Sequence, residues 1–205
     1  MYHFREYSGF LLSKIEEQIL EEIHENLSKD FEVNFNPNFT FNFKKFAIFN
    51  HISVVNPFLC FDVAYDSEHF QIVALNIQYN YIGGKRGDSL INENQIWGLK
   101  TLKNNYGNIF LRDENIYDKV AEIFNKTEID FQEDKEFSNR YYLVSDQVDK
   151  TRFSFNSKIR SYFKEIPKSE NYIFEIAENI IIVGNRKPIN QYYSHQIANF
   201  LKNKF

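Results

Sequence analysis

The sequence predicts an α+β fold, a mainly antiparallel and curved sheet flanked by a long N-terminal helix and by C-terminal helices. Three observations point there. Leu12, Ile15, Ile19, Ile23 and Leu27 recur at helical spacing near the start of the chain. Two-residue alternation follows, most clearly in FEVNFNPNFTFNFKKF from Phe31 to Phe46. The middle of the chain then reads as strand after strand around short turns, without the interleaved long helices that announce a parallel sheet.

The 205 residues suit one α+β domain, with room for two lobes meeting near residues 100–115. A chain of that length hides roughly 70% of its unfolded surface on folding, so its core needs neither disulfides nor metals. Apolar residues make up 43% and charged residues 25%, the ordinary globular balance. The skew is toward aromatics, with 22 Phe and 13 Tyr against one Met and one Trp. Phe, Tyr, Asn, Lys and Ile share AT-rich codons, so coding bias is the first explanation of that richness and function the second. A net charge of −4, mixed along the chain, argues against the basic surface from which nucleic-acid binding draws its affinity. The lone Cys60 forbids an intramolecular disulfide and fits a reducing compartment. MYHFREYSGFLLSKIEEQ has no basic segment followed by an apolar one, as a secretory signal would. No window approaches the roughly 20 apolar residues of a membrane span. The N-x-S/T sequons at Asn26, Asn38 and Asn125 are chance in an Asn-rich chain. The expectation is a cytoplasmic protein with no membrane span, no cofactor and no nucleic-acid partner, open to an unidentified protein partner.

Each element follows from its local pattern. The first helix runs for about four turns through Leu27, with Glu16, Glu17, Glu21, Glu22 and Glu25 on its outer faces. In the Phe-rich stretch, Glu32, Asn34, Asn36, Asn38, Thr40, Asn42 and Lys44 alternate with the rings, which places the rings on the inner face of a sheet. Asn36-Pro37-Asn38 bends this strand or turns it into a hairpin, because Pro cannot donate to a ladder. A stacking platform for single-stranded nucleic acid also alternates aromatics, but it needs interleaved Arg and Lys where this chain has Asn, Glu and Thr. FDVAYDSEHFQIVALNIQYNYIGG reads as two strands around Asp66-Ser67-Glu68, the second from Phe70 to Tyr81. GGKRGD is then a tip loop and SLINENQIWGLKTL the returning strand. A short helix is predicted from Asp113, its N-cap, to Asn125. The last third predicts a strand over Arg140–Val144, a helical turn from Asp146, and a helix capped by Asn156 or Ser157 that ends before Pro167. A hairpin over NYIFEIAENIIIVGNR turns at Glu178-Asn179, and a final helix spans Gln191–Lys202.

One block carries a resemblance. Glu128-Ile129-Asp130-Phe131, followed by Glu136-Phe137-Ser138-Asn139-Arg140-Tyr141-Tyr142-Leu143-Val144, resembles a widespread family of uncharacterised bacterial proteins. In them an I-D-F block followed by F-S-x-x-Y-x-L/V precedes a helix and a hairpin. The likeness extends loosely from NIQYNYIGG, residues 76–84, through QIW, residues 95–97, to the last helix. It implies a shared architecture and carries over no activity, cofactor or site residue.

The chemistry-bearing residues give few convergent sets. There is no G-x-S-x-G elbow. Cys60 in NPFLCFDV has the surroundings of a buried, inert thiol, and His51, nine residues earlier, is the candidate weighed for a Cys–His pair. His3, His24, His51, His69 and His195 show no ligand-pair spacing, and Asp62, Asp66, Glu68 and His69 decorate a hairpin tip that needs no metal. Glu133-Asp134-Lys135 has the E-x-K spelling of metal-dependent nucleases, whose second carboxylate would have to come from Asp113 or Asp118. A loop pairing these carboxylates with Arg140 and neighbouring lysines explains the same residues. GGKRGD lacks P-loop spacing, and its embedded Arg86-Gly87-Asp88 is coincidence in a cytoplasmic chain. One basic patch remains, a candidate partner surface of Arg152, Lys158, Arg160 and Lys164 around one helix, with a solvated helix face as the default. The function expected is therefore a non-catalytic binding or scaffold domain. The alternative is a small-ligand binder or enzyme with a cavity in the aromatic-rich sheet, where Tyr65, Tyr79, Tyr81 and Trp97 supply polar handles on apolar bodies.

Overall fold

The computed structural model describes residues 12–81, 89–113 and 127–203. The GGKRGD tip loop and the helix expected to follow Asp113 lie outside the described residues.

Helix α1, Lys14–Leu27, begins with a reciprocal cap. The Glu16 N–H donates to Ser13 Oγ at 3.2 Å while the Ser13 N–H donates to the Glu16 carboxylate at 2.9 Å. Leu20, Ile23 and Leu27 are buried beneath it, but Ile15 is 72% exposed. At 3.6 residues per turn Ile15 lies roughly 100° round the helix from the centre of that stripe, beyond the reach of the sheet.

One antiparallel sheet runs through the described chain. Its strands are β1 (Glu32–Phe35), β2 (Val54–Tyr65), β3 (Glu68–Tyr81), β4 (Ser89–Thr101), β5 (Asn108–Asp113), β6 (Thr127–Glu128), β7 (Tyr141–Ser145), β8 (Ile173–Ala177) and β9 (Ile180–Gly184). The spatial order is β1-β2-β3-β4-β9-β8-β5-β7-β6. The two hairpins expected from the sequence form, with Asp66 and Glu178 at positive φ in their turns. Residues 100–101 end β4 and residues 108–113 form β5, and both strands belong to this one sheet. Strand β5 is invisible to a two-residue pattern because it is covered on both faces. Ile109, Phe110 and Leu111 are all buried. Asp113 closes this strand, and the helix it was expected to cap lies outside the described residues.

Four more helices complete the description: α2 (Lys135–Ser138), α3 (Val148–Ser154), α4 (Ser157–Lys164) and α5 (Gln191–Leu201). Asn156 caps α4 as expected, its side chain accepting from the Lys158 and Ile159 N–H groups. Helix α5 packs beside α1 and lies so close to β4 that a side chain at Gly98 would collide with Ile197 and Leu201.

The sheet has two dry faces. On β3, Phe70, Ile72 and Ala74 face the helices, while Val73, Leu75 and Ile77 face the other way. The second face is covered by an irregular strap, residues 39–52, that contains two short 3-10 turns, Phe43–Lys45 and Ala47–Phe49. The break expected at Asn36-Pro37-Asn38 is there, but the expectation that the second half of the Phe row also lies on a strand, on the same inner face, is corrected. Phe31, Val33 and Phe35 join the helix side, and Phe39, Phe41 and Phe43 join the strap side. The Asn36 N–H makes the last bond to β2, at 2.9 Å to the Cys60 carbonyl, and Pro37 has no N–H to continue the ladder. The chain leaves the sheet there and crosses to its other side.

Candidate functional site

Of the residues proposed to line a cavity, Tyr65 lies on the opposite face of the sheet from Tyr79 and Trp97. Tyr65 ends β2 on the helix side, its ring 5.7 Å from Phe31. Trp97 is buried on the strap side, where its indole N–H donates to Gln95 at 3.1 Å and its ring meets Phe49 edge-on at 5.1 Å. Tyr79 is half-buried on the same side as Trp97, and the side chain of Tyr81 lies outside the described residues. Phe49 occupies the space where a cavity against Trp97 would lie, and Gly184 lets the indole lie directly on the β9 backbone.

The basic patch is divided by burial. Arg160 is buried, donating to Asp134 at 2.9 Å and to the Phe155 carbonyl at 2.7 Å, with its guanidinium over the Phe131 ring. Lys164 also reaches Asp134, at 3.2 Å. Arg152 and Lys158 alone of the quartet are exposed. Arg160 thus belongs to the interior because it closes the α2–α4 corner. Asp134, the middle residue of the E-x-K triplet, is held in this contact, while Glu133 meets Arg160 at 3.2 Å from an exposed position. Burial pushes the Asp134 carboxyl up, and the hydrogen bonds from Arg160 and Lys164 more than offset this, leaving it below its ordinary value. Arg140, the partner expected for this loop, instead meets Asp113 at 3.4 Å and the Lys164 carbonyl at 2.9 Å. Asp113 is pushed up by burial against the pull of Arg140.

Cys60 is buried and burial drives its thiol far above its usual range, so no thiolate forms at neutral pH. Two of the four hairpin-tip residues have partners inside the protein. Asp62 accepts from Asn36 at 2.8 Å and Gln71 at 3.2 Å, and Glu68 pairs with buried Lys100 at 2.7 Å. Lys100 also donates to the Leu201 and Asn203 carbonyls at 2.7 Å, stitching the end of α5 to β4. Among the described residues no group of three or more His, Cys, Asp and Glu side chains could hold a metal ion.

One polar constellation remains, where the end of α1 meets the start of α5. An open cleft of about 530 Å3 lies between them. Asn190 caps α5 by accepting from the Tyr192 N–H at 2.8 Å, which sets the first turn of α5 against the last turn of α1. Asn26 of α1 donates to the Gln191 carboxamide of α5, and Lys29 donates to the Asn26 carbonyl oxygen at 2.7 Å. Asp30, in the turn before β1, meets His195 Nε2 at 2.8 Å, while Asn199 meets His195 Nδ1 at 2.9 Å. Tyr192, 47% exposed, and Gln196 complete the lining. Sequence reasoning singled out none of this as a set. His195 and Asp30 are 165 positions apart, and neither stands in a motif. Two clefts elsewhere are smaller: about 270 Å3 beside the Glu68–Lys100 pair, and about 80 Å3 beside Pro37 and Pro57.

Among the described residues no helix is long and apolar enough to cross a membrane. No protein-family model and no curated protein matches the chain. Among solved structures, the crystal structure of the mycobacterial trehalose monomycolate transport factor A, TtfA, matches with a TM-score of 0.52 over 90% of each chain. Sequence identity is 8%, so the chain shares with TtfA a fold, and the polar α1–α5 cleft has to be read from its own residues.

Proposed function

We propose that the protein is a non-catalytic binding module of the bacterial cytoplasm, with the α1–α5 cleft as its recognition surface. The observation that carries this reading is the state of His195. Its two ring nitrogens are both hydrogen-bonded within the protein, to Asp30 and to Asn199, which supports a structural role for the imidazole. It acts as a strut that holds the turn before β1 against α5. The resemblance of the Ile129–Val144 block to uncharacterised bacterial proteins supports a shared module to which no reaction is attached. A fold also found in a protein described as a transport factor supports a role in handling a ligand rather than transforming it.

The test is a photo-crosslinking amino acid placed at Gln196 in the native cell, beside a control at Glu32 on the sheet edge. The reading expects a discrete adduct at position 196 that disappears with Tyr192→Ala and survives His195→Gln. Equal adducts at both positions, indifferent to Tyr192→Ala, would overturn it.

A further inference from the structure

The chemistry of the cleft walls also indicates a ligand class, an inference that rests on the cleft being the recognition surface. Its charges cancel: Lys29 stands beside Asp30, and that carboxylate is already engaged by His195. A balanced lining favours neither an anion nor a cation. The rest of the polar wall is carboxamide. Asn26 and Gln191 orient one another across the two helices through their mutual hydrogen bond. Among the described residues the NH2 group of Gln191 and the whole carboxamide of Gln196 have no protein partner, although both line the cleft. A carboxamide presents donor and acceptor side by side, and a hydroxyl group does the same from a single atom, so the two match in either direction. At the rim Tyr192 is 47% exposed, and its flat apolar face ends in a hydroxyl. A sugar ring has the complementary build, with C–H groups on one face and hydroxyls round its edge. The volume of about 530 Å3 falls within the roughly 300–1,000 Å3 of small-molecule sites.

We propose that the α1–α5 cleft binds a neutral carbohydrate of one or two pyranose rings. Tyr192 stacks under one ring, and the carboxamides of Gln191 and Gln196 take its hydroxyls, with Asn26 holding Gln191 in place. A nucleobase also stacks on tyrosine and pairs with carboxamides, so it is the competitor that the test must exclude.

The test uses the full 15N-labelled chain, whose side-chain NH2 groups report directly on these residues. Maltose, cellobiose and N,N′-diacetylchitobiose are titrated separately, with adenosine in a parallel series. At least one disaccharide is expected to produce saturable shifts at the Gln191 and Gln196 side chains, with Kd between roughly 0.1 and 10 mM. Tyr192→Ala should weaken that binding about tenfold or more, and Gln196→Ala should weaken it with the remaining spectrum unchanged. No saturable shift with any of the three sugars up to about 50 mM overturns the proposal. So does binding that Tyr192→Ala leaves intact. Saturation by adenosine without saturation by sugars overturns the carbohydrate class and leaves the cleft as a recognition surface, whose own failure is read from the crosslinking experiment.

Discussion

The two faces of the sheet are covered by different means. On one side α1, α4 and α5 lay periodic apolar stripes against Phe61, Ile72, Phe174 and Val183. On the other, one irregular strap does the covering, with Phe43, Phe46 and Phe49 buried and Phe39 and Phe41 half-buried. A helix satisfies its own backbone, so side-chain packing alone decides whether it docks. A strap without regular structure brings unsatisfied N–H groups to a dry surface, where each must find a partner. Glu175, buried in the middle of β8, supplies it. Its two carboxylate oxygens accept from the Ala47 and Ile48 N–H groups at 2.8 and 2.9 Å. Arg186 adds a bond to the Ile48 carbonyl at 3.3 Å. The comparison teaches that a face can be closed by rings without helices, provided a buried acceptor anchors the backbone that carries them.

The sharpest break of that comparison is Phe49→Ala. It removes the ring packed on Trp97 and should cost about 3–5 kcal/mol in chemical denaturation, as much as Phe174→Ala on the helix side. A cost below about 1 kcal/mol would mean that the strap is not a structural cover. Glu175→Ala comes next. The buried Ile48 N–H and the part-buried Ala47 N–H lose their acceptor, and at about 1–3 kcal/mol for a buried unsatisfied group the strap should loosen while α1 and α5 stay intact. Hydrogen exchange checks this directly: Ala47 and Ile48 should lose protection and Leu20 and Ile197 should keep it. Phe41→Ala should cost about 1–2 kcal/mol, less than a core ring, because Phe41 is half-buried. A full-sized loss there would place it deeper than its neighbours Phe43 and Phe46 allow.

The helix side has a polar clamp of its own, at Asp134 with Arg160 and Lys164. Because the folded-state pKa of Asp134 is lowered from 3.8, its contribution is present above about pH 4 and is lost as pH falls through the folded value. Asp134→Asn should therefore flatten the acid limb of the stability curve, and an unchanged limb would show that the clamp contributes nothing. Ile15→Ser is the smallest change expected, within about 0.5 kcal/mol, since the side chain is 72% exposed.

Local pattern alone determined much of this molecule. The spacing of Ile19, Ile23 and Leu27 marks α1, the turns at Asp66-Ser67 and Glu178-Asn179 set two hairpins, and Asn156 opens α4, because periodicity, capping and turn chemistry act over three or four residues. The sequence also marked Cys60 as buried and Phe31 and Phe43 as core. Tertiary structure decided what no short window contains. Strand β5 is apolar on both faces and has no period to show. The Phe row kept its alternating phase past Pro37, yet its halves went to opposite sides of the sheet. Arg160, one of four similar cations by sequence, was drawn inside by a carboxylate 26 positions away. The α1–α5 cleft joins residues 165 positions apart. Periodicity records which side of an element is dry. Which dry surface it meets, and which polar groups that meeting brings together, is settled only when the distant parts of the chain compete for the same sheet.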